Sequence, residues 1–158
     1  MDKTTFVYVS YIRTTPEKLW SALTDGECMK QYWFGCHCES QWKAGASWKL
    51  VYADGTVTDV GEIVEAEPPR RLVIRWQHEN KPEFKVEGQS RCIMDLEPCG
   101  SAVKLSLTHS IECQPSKFIA AVSEGWPKVI SNCKSFLETG SVALLEAYPA
   151  KSADKGPK

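Results

Sequence analysis

A change of hydrophobic period divides residues 103–137, which read VKLSLTHSIECQPSKFIAAVSEGWPKVISNCKSFL. Val103, Leu105 and Leu107 alternate with polar residues, and this period of two predicts a β-strand with one apolar face. After Pro115 the apolar residues recur every three or four positions, which predicts a long amphipathic helix. The apolar stripe of this helix consists of Phe118, Val122, Trp126, Val129, Cys133, Phe136 and Leu137.

The predicted helix contains one proline and is followed by a glycine. Pro127 lacks the backbone N–H that an interior helical position donates, so we expect the helix to kink or restart there. Thr139 and Gly140 mark its C-terminal end, because glycine readily takes the left-handed conformation that closes many helices.

Upstream of this predicted strand and helix, short apolar runs alternate with turn signals. Residues 6–12 are rich in aromatic and β-branched side chains, which predicts a first strand. Thr15 and Pro16 form a helix start, and two short helices follow, the second over residues 27–34. Asp54 and Gly55 predict a tight hairpin. The remaining predicted strands run through residues 48–52, 57–66, 72–78 and 90–96.

This order of elements predicts one α+β domain over residues 1–145. Strands joined by hairpins form an antiparallel sheet, so we expect about six strands curved around the C-terminal helix. Residues 146–158, rich in Pro, Lys and Ala, are predicted to form a disordered tail. A gap between a curved sheet and a single helix favours a pocket for a small molecule.

A series of short motifs runs through residues 5–140 in a fixed order. They are Thr15-Pro16-Glu17, Leu19-Trp20, Ala22-Leu23-Thr24-Asp25, Tyr32-Trp33, Gly45, Asp54-Gly55-Thr56, Gly61, Glu65, Pro68-Pro69-Arg70-Arg71-Leu72, Leu107-Thr108-His109, Gly125-Trp126-Pro127 and Leu137-Glu138-Thr139-Gly140. As a set they resemble the helix-grip fold of the START and birch-pollen-allergen superfamily (SRPBCC). They are most similar to its branch of activators of heat-shock protein 90 ATPase, in the single-domain bacterial type.

The resemblance implies a protein that binds a small hydrophobic or aromatic ligand in an internal cavity. It also implies two alternatives, a chaperone-interacting protein of the ATPase-activator type with a role in stress response, and a cyclase- or hydrolase-type enzyme. The eukaryotic activators carry a separate chaperone-binding domain, whereas this fold begins by Phe6, which weakens the chaperone alternative. The branch has no shared catalytic motif, which favours a protein that is not an enzyme.

Composition excludes several other classes of function. Nineteen Lys and Arg stand against twenty Asp and Glu, so no basic surplus exists to bind nucleic acid. No apolar run approaches the roughly 20 residues that span a bilayer, which argues against a membrane protein. The N-terminus lacks the apolar stretch of a signal peptide, and we therefore expect a cytoplasmic location.

The seven cysteines are interpreted as free thiols and not as ligands or disulfides. Their number is odd, and Cys36 and Cys38 lack the second close-spaced pair that a zinc site normally uses. We therefore predict no metal site. No glycine cluster has the spacing of a phosphate-binding loop, and we predict no cofactor.

If the helical stripe faces the concave sheet, residues of both elements line the predicted cavity. They are Trp48, Leu50, Tyr52, Trp76, His78, Cys92, Met94, Leu105, Leu107, His109, Phe118, Val122, Trp126 and Val129.

Three polar residues, His78, Ser90 and His109, fall in phase with the apolar faces near strand ends. The favoured interpretation places them at the cavity mouth in contact with solvent, and the alternative has them orient a polar group of a ligand. No Ser or Cys forms a recognisable nucleophile motif with a histidine, so no catalytic residue is predicted. The expected partner is a small apolar or aromatic ligand, with a chaperone or another protein as the alternative, and the expected state is a monomer or a weak homodimer.

Overall fold

One antiparallel sheet forms the larger layer of the protein. A computed structural model describes residues 3–147, and over this range the sheet has seven strands in the order β1-β7-β6-β5-β4-β3-β2. The strands are β1 Thr4–Ile12, β2 His37–Ser40, β3 Ser47–Val51, β4 Val57–Glu67, β5 Arg71–His78, β6 Ser90–Cys99 and β7 Ala102–Ile111.

Four helices accompany the sheet within the described residues. Thr15 and Asp25 cap the two short helices after β1, as their side-chain oxygens accept hydrogen bonds from backbone N–H groups of the first turn. The helices are α1 Pro16–Thr24, α2 Gly26–Tyr32, α3 Pro82–Lys85 and α4 Lys117–Thr139. The curved antiparallel sheet with one long C-terminal helix is the predicted α+β helix-grip fold.

The long helix α4 has well-defined ends. Ser116 caps its first turn, and Gly140 follows its last turn with a φ of 87°, so the predicted C-terminal end is confirmed. The helix continues through Pro127, so of the two predicted outcomes, a kink or a restart, the restart does not occur. Trp126 and Val129, on either side of the proline, are buried against the sheet, and this packing holds the helix together across the missing hydrogen bond.

Two elements were not predicted. The strand β2 adds a seventh strand at the edge of the sheet, where its four residues pair with β3. It is too short and too polar to show a clear alternation. The helix α3 is a single turn between β5 and β6, where no element was predicted.

The chain after α4 returns along the helix. The side chain of Asn132 makes two hydrogen bonds to the backbone of Leu144. Its Oδ1 accepts from the Leu144 N–H at 2.7 Å, and its Nδ2 donates to the Leu144 carbonyl at 2.9 Å. Lys128 Nζ donates to the carbonyl of Ala147 at 2.8 Å. Of the predicted tail at 146–158, residues 148–158 lie outside the described residues.

Gly61 of β4 lies in register between two tryptophans that meet on the inner face of the sheet. Its register partners are Trp48 on β3 and Trp76 on β5, whose rings lie 4.4 Å apart between centroids. A Cβ atom at this position would overlap the carbonyl oxygen of Arg75 on the neighbouring strand. Only glycine therefore fits between these strands as they are placed.

We expect Gly61→Ala to lower the free energy of unfolding by about 3 kcal/mol, because the backbone of β4 or β5 must shift. The matched control is Gly125→Ala in α4, where a Cβ meets no atom within 4 Å. That change is expected to stabilise the protein by about 1 kcal/mol, since alanine favours helix. Urea denaturation of both variants measures the difference, and equal stabilities would contradict this role of Gly61.

Candidate functional site

A cavity of about 530 Å³ opens between the N-terminal half of α4 and one end of the sheet. Tyr52, at its rim, is 48% exposed, whereas Trp126 and Trp76 at its floor are buried. The wall is formed by Trp33, Phe34, Cys36, Leu50, Tyr52, Ala53, Asp54, Asp59, Trp76, His78, Lys81, Phe84, Phe118, Ala121, Val122, Gly125, Trp126, Lys128, Val129 and Ala147.

Aromatic rings in mutual contact form the floor of the cavity. The ring of Trp126 from α4 lies 5.4 Å from that of Trp33 and 5.8 Å from that of Trp76 between centroids. Trp48 packs behind Trp76 and closes the floor towards the core. Each ring adds a large apolar surface with few rotatable bonds, so the floor is a broad and rigid apolar surface.

A chain of hydrogen bonds through His109 fixes this floor. The indole N–H of Trp126 donates to His109 Nδ1 at 3.1 Å, so the proton of the neutral imidazole is on Nε2. Nε2 lies 2.9 Å from Ser90 Oγ, and that hydroxyl donates to the carbonyl of Trp76 at 3.1 Å. Burial lowers the pKa of His109 to about 3, and the ring therefore stays neutral at physiological pH.

The predicted location of two polar residues at the cavity mouth is wrong. His109 is 0% exposed and Ser90 is 3% exposed. They tolerate burial because each finds its hydrogen-bond partner inside the protein, which removes the usual reason for a polar side chain to reach water.

Asp59 and His78 form a second polar pair, and both line the cavity. They are direct cross-strand partners on β4 and β5, and His78 Nδ1 lies 3.0 Å from Asp59 Oδ2. The buried carboxylate also accepts from the indole N–H of Trp76 at 2.7 Å and from the Thr58 hydroxyl at 2.5 Å. These donors compensate the cost of placing a carboxylate in the wall of an apolar cavity.

The other ring nitrogen of His78 lacks a partner. Nε2 is buried and makes no hydrogen bond within residues 3–147. A buried polar atom left in this state costs about 1–3 kcal/mol, so the position has an unused capacity for one hydrogen bond.

The segment that carries α3 forms one side of the cavity and is tied to α4. Glu87 accepts hydrogen bonds from the Ser116 hydroxyl at 2.6 Å and from the Lys117 N–H at 2.7 Å. Phe84 of the same segment packs edge-on against His78, with 5.3 Å between the ring centroids. This wall thus depends on contacts between elements far apart in sequence.

The structure divides the residues predicted to line the cavity. Trp48 and Met94 border a void of about 10 Å³ beneath the floor instead of the cavity itself. Cys92, Leu105, Leu107 and His109 lie in packed core, because the tryptophans of the floor fill the space between them and α4. The predicted residues on the cavity wall are Leu50, Tyr52, Trp76, His78, Phe118, Val122, Trp126 and Val129.

Several wall residues were missed by sequence reasoning. Asp59 is an acidic residue inside a strand of β-branched neighbours, a composition unusual for strands, and this was a usable signal. Trp33, Phe34 and Cys36 come from the loop after α2, which carries no periodic pattern. Burial raises the pKa of Cys36 to about 11, so its thiol stays protonated near neutral pH and is a poor nucleophile.

Neither a metal-binding cluster nor a membrane-spanning helix occurs in the part of the chain that the structure describes. No three His, Cys, Asp or Glu side chains gather there as they would around a metal ion. None of the helices in residues 3–147 has both the length and the apolar character needed to cross a bilayer.

The curved sheet and the long C-terminal helix, together with the motifs along residues 5–140, define a member of the SRPBCC superfamily. The family model described as "Activator of Hsp90 ATPase homolog 1-like protein" matches residues 13–138, and the chain belongs to this family. No curated protein matches the chain.

Solved structures with the same fold come from several organisms. Protein MLL2253 from Mesorhizobium loti is 22% identical with a TM-score of 0.74, and the match covers 88% of this chain and 100% of that chain. PFC0360w, an HSP90 activator from Plasmodium falciparum, is 22% identical with a TM-score of 0.68, covering 85% and 96%. The Aha1 dimer from Colwellia psychrerythraea is 20% identical with a TM-score of 0.69, covering 87% and 98%. At these identities the likeness shows the fold alone.

The depressed pKa of His109 predicts a loss of stability in mild acid. The unfolded chain takes up a proton near pH 6.5 while the folded protein does not until about pH 3, so stability is complete above 6.5 and falls as the pH drops towards 3. We expect a contribution of about 2 kcal/mol to be lost between pH 7 and pH 5.

The control for this prediction is His109→Gln, which has no titrating ring at the position. Urea denaturation at pH 7 and at pH 5 gives the free energy of unfolding of both proteins. Between these pH values the wild type should lose about 2 kcal/mol more than the variant. A difference that stays constant with pH would show that His109 is not held neutral.

Proposed function

We propose that the protein binds a small apolar or aromatic ligand in the cavity between the sheet and α4, without a cofactor. The observation that carries this proposal is the floor of contacting tryptophans beneath a cavity of about 530 Å³. That volume lies within the range of roughly 300–1,000 Å³ typical of small-molecule sites. A flat aromatic ligand stacked on Trp33 and Trp126 buries apolar surface, which stabilises the complex by about 25 cal/mol per Å².

A second candidate function is binding to a protein partner. Val7, Val9 and Tyr11 expose apolar surface along β1, and β1 is an edge strand of the sheet. Such a strip suits contact with another chain, either a chaperone or a second copy of this protein. The family name and the HSP90 activator of the same fold support this candidate, whereas the ligand proposal rests on the cavity.

Binding of 2-methylnaphthalene and of a panel of similar apolar aromatics tests the ligand proposal. We expect quenching or enhancement of tryptophan fluorescence, because three of the wall residues are Trp33, Trp76 and Trp126. A ligand at about 100 times its Kd should also stabilise the protein by about 2.7 kcal/mol, seen as a rise in Tm.

A matched pair of variants locates the binding. Val122→Trp places a large side chain in the cavity wall and should abolish both signals, whereas Ala120→Trp, on the exposed side of the same helix, should leave them intact. Absence of any signal across the panel would overturn the ligand proposal. The protein-partner candidate would then be tested by the ATPase rate of a cognate chaperone with wild type and with Val9→Asp.

A further inference from the structure

The Asp59–His78 pair gives the cavity wall a polar group with a fixed direction. Asp59 fixes the imidazole through Nδ1, and its carboxylate is itself held by Thr58 and Trp76. When Nδ1 carries the proton and donates it to the carboxylate, Nε2 of the neutral ring is an acceptor. That acceptor has no partner among residues 3–147, and because it is buried a ligand reaches it only where a neighbouring side chain moves aside.

Aromatic rings hold the imidazole in place on its other sides. Phe84 packs edge-on at 5.3 Å between centroids, and Phe118 lies at 6.1 Å. All three rings line the cavity. A ligand that satisfies Nε2 therefore presents a hydrogen-bond donor on an aromatic or apolar body and not on an extended polar one.

The charges around the cavity restrict which donor fits. Lys81 and Lys128 line the wall, and so do Asp54 and Asp59, so the wall carries no excess charge to offset the burial of a charged ligand group. A hydroxyl is a neutral donor and avoids the cost of burying a charge. We propose that the cavity selects ligands with a hydroxyl group on an aromatic ring, and that His78 Nε2 accepts the hydrogen bond from this hydroxyl. This inference rests on the proposed ligand-binding function.

Two probes of the same size and shape test the selection. 2-Naphthol carries a hydroxyl where 2-methylnaphthalene carries a methyl group, and both are titrated at mildly alkaline pH into wild type and His78→Asn. The asparagine amide replaces Nδ1 as a donor to Asp59 but provides nothing at the position of Nε2. Comparing the ratio of the two Kd values between the proteins cancels the different hydration of the probes.

We expect this Kd ratio to shift about tenfold against 2-naphthol in His78→Asn, while 2-methylnaphthalene still binds. A second readout needs only the wild type, because the ¹⁵N resonance of His78 Nε2 should move when 2-naphthol binds and stay in place with 2-methylnaphthalene. This readout decides the matter if the variant does not fold.

The outcomes separate this inference from the proposed function. An unchanged Kd ratio, together with an unmoved Nε2 resonance at saturating 2-naphthol, would overturn the hydroxyl site while leaving the cavity as a binding site. If neither probe binds the wild type, the proposed ligand-binding function and the inference fail together.

Discussion

The hydrogen bond from the indole N–H of Trp76 to the buried Asp59 carboxylate fixes the position of Trp76, and the rest of the site depends on that position. Its ring contacts Trp48, Trp126 and His109. Its indole N–H fixes the Asp59 carboxylate, and its carbonyl accepts from the Ser90 hydroxyl that bonds to His109. One residue thus joins the sheet, the long helix and both polar groups of the site. A displaced Trp76 would alter the cavity floor and the orientation of His78 together.

The fold follows from patterns that the sequence shows directly. The alternation at Val103, Leu105 and Leu107 and the helical stripe after Pro115 reflect burial on one face of an element, and such patterns survive in any packing of those elements. The site depends on register, which the sequence shows much less clearly. A bulge between Ile63 and Glu65 shifts β4 by one residue against β5, and without it Asp59 would oppose Glu79 instead of His78. The position of the cavity could not be predicted from the sequence pattern either. It depends on how the large tryptophan rings fill the space between α4 and the sheet.

His78 and His109 both lie on the inner face of the sheet, but their hydrogen-bond partners differ, and so do their roles. His109 has partners on both ring nitrogens and serves the structure of the floor. His78 has a partner on one nitrogen, lines the cavity and retains capacity for a further bond. Loops and strand ends form most of the cavity wall outside α4. Substitutions in those segments would change the shape of the cavity without changing the core.

Intermolecular nuclear Overhauser effects test most directly whether the cavity is the binding site. With isotope-labelled protein saturated with 2-methylnaphthalene, we expect ligand protons to show contacts with Phe118, Val122 and Trp126 from the helical wall. Contacts confined to Val7, Val9 and Tyr11 on β1, or no contacts at saturation, would contradict the account.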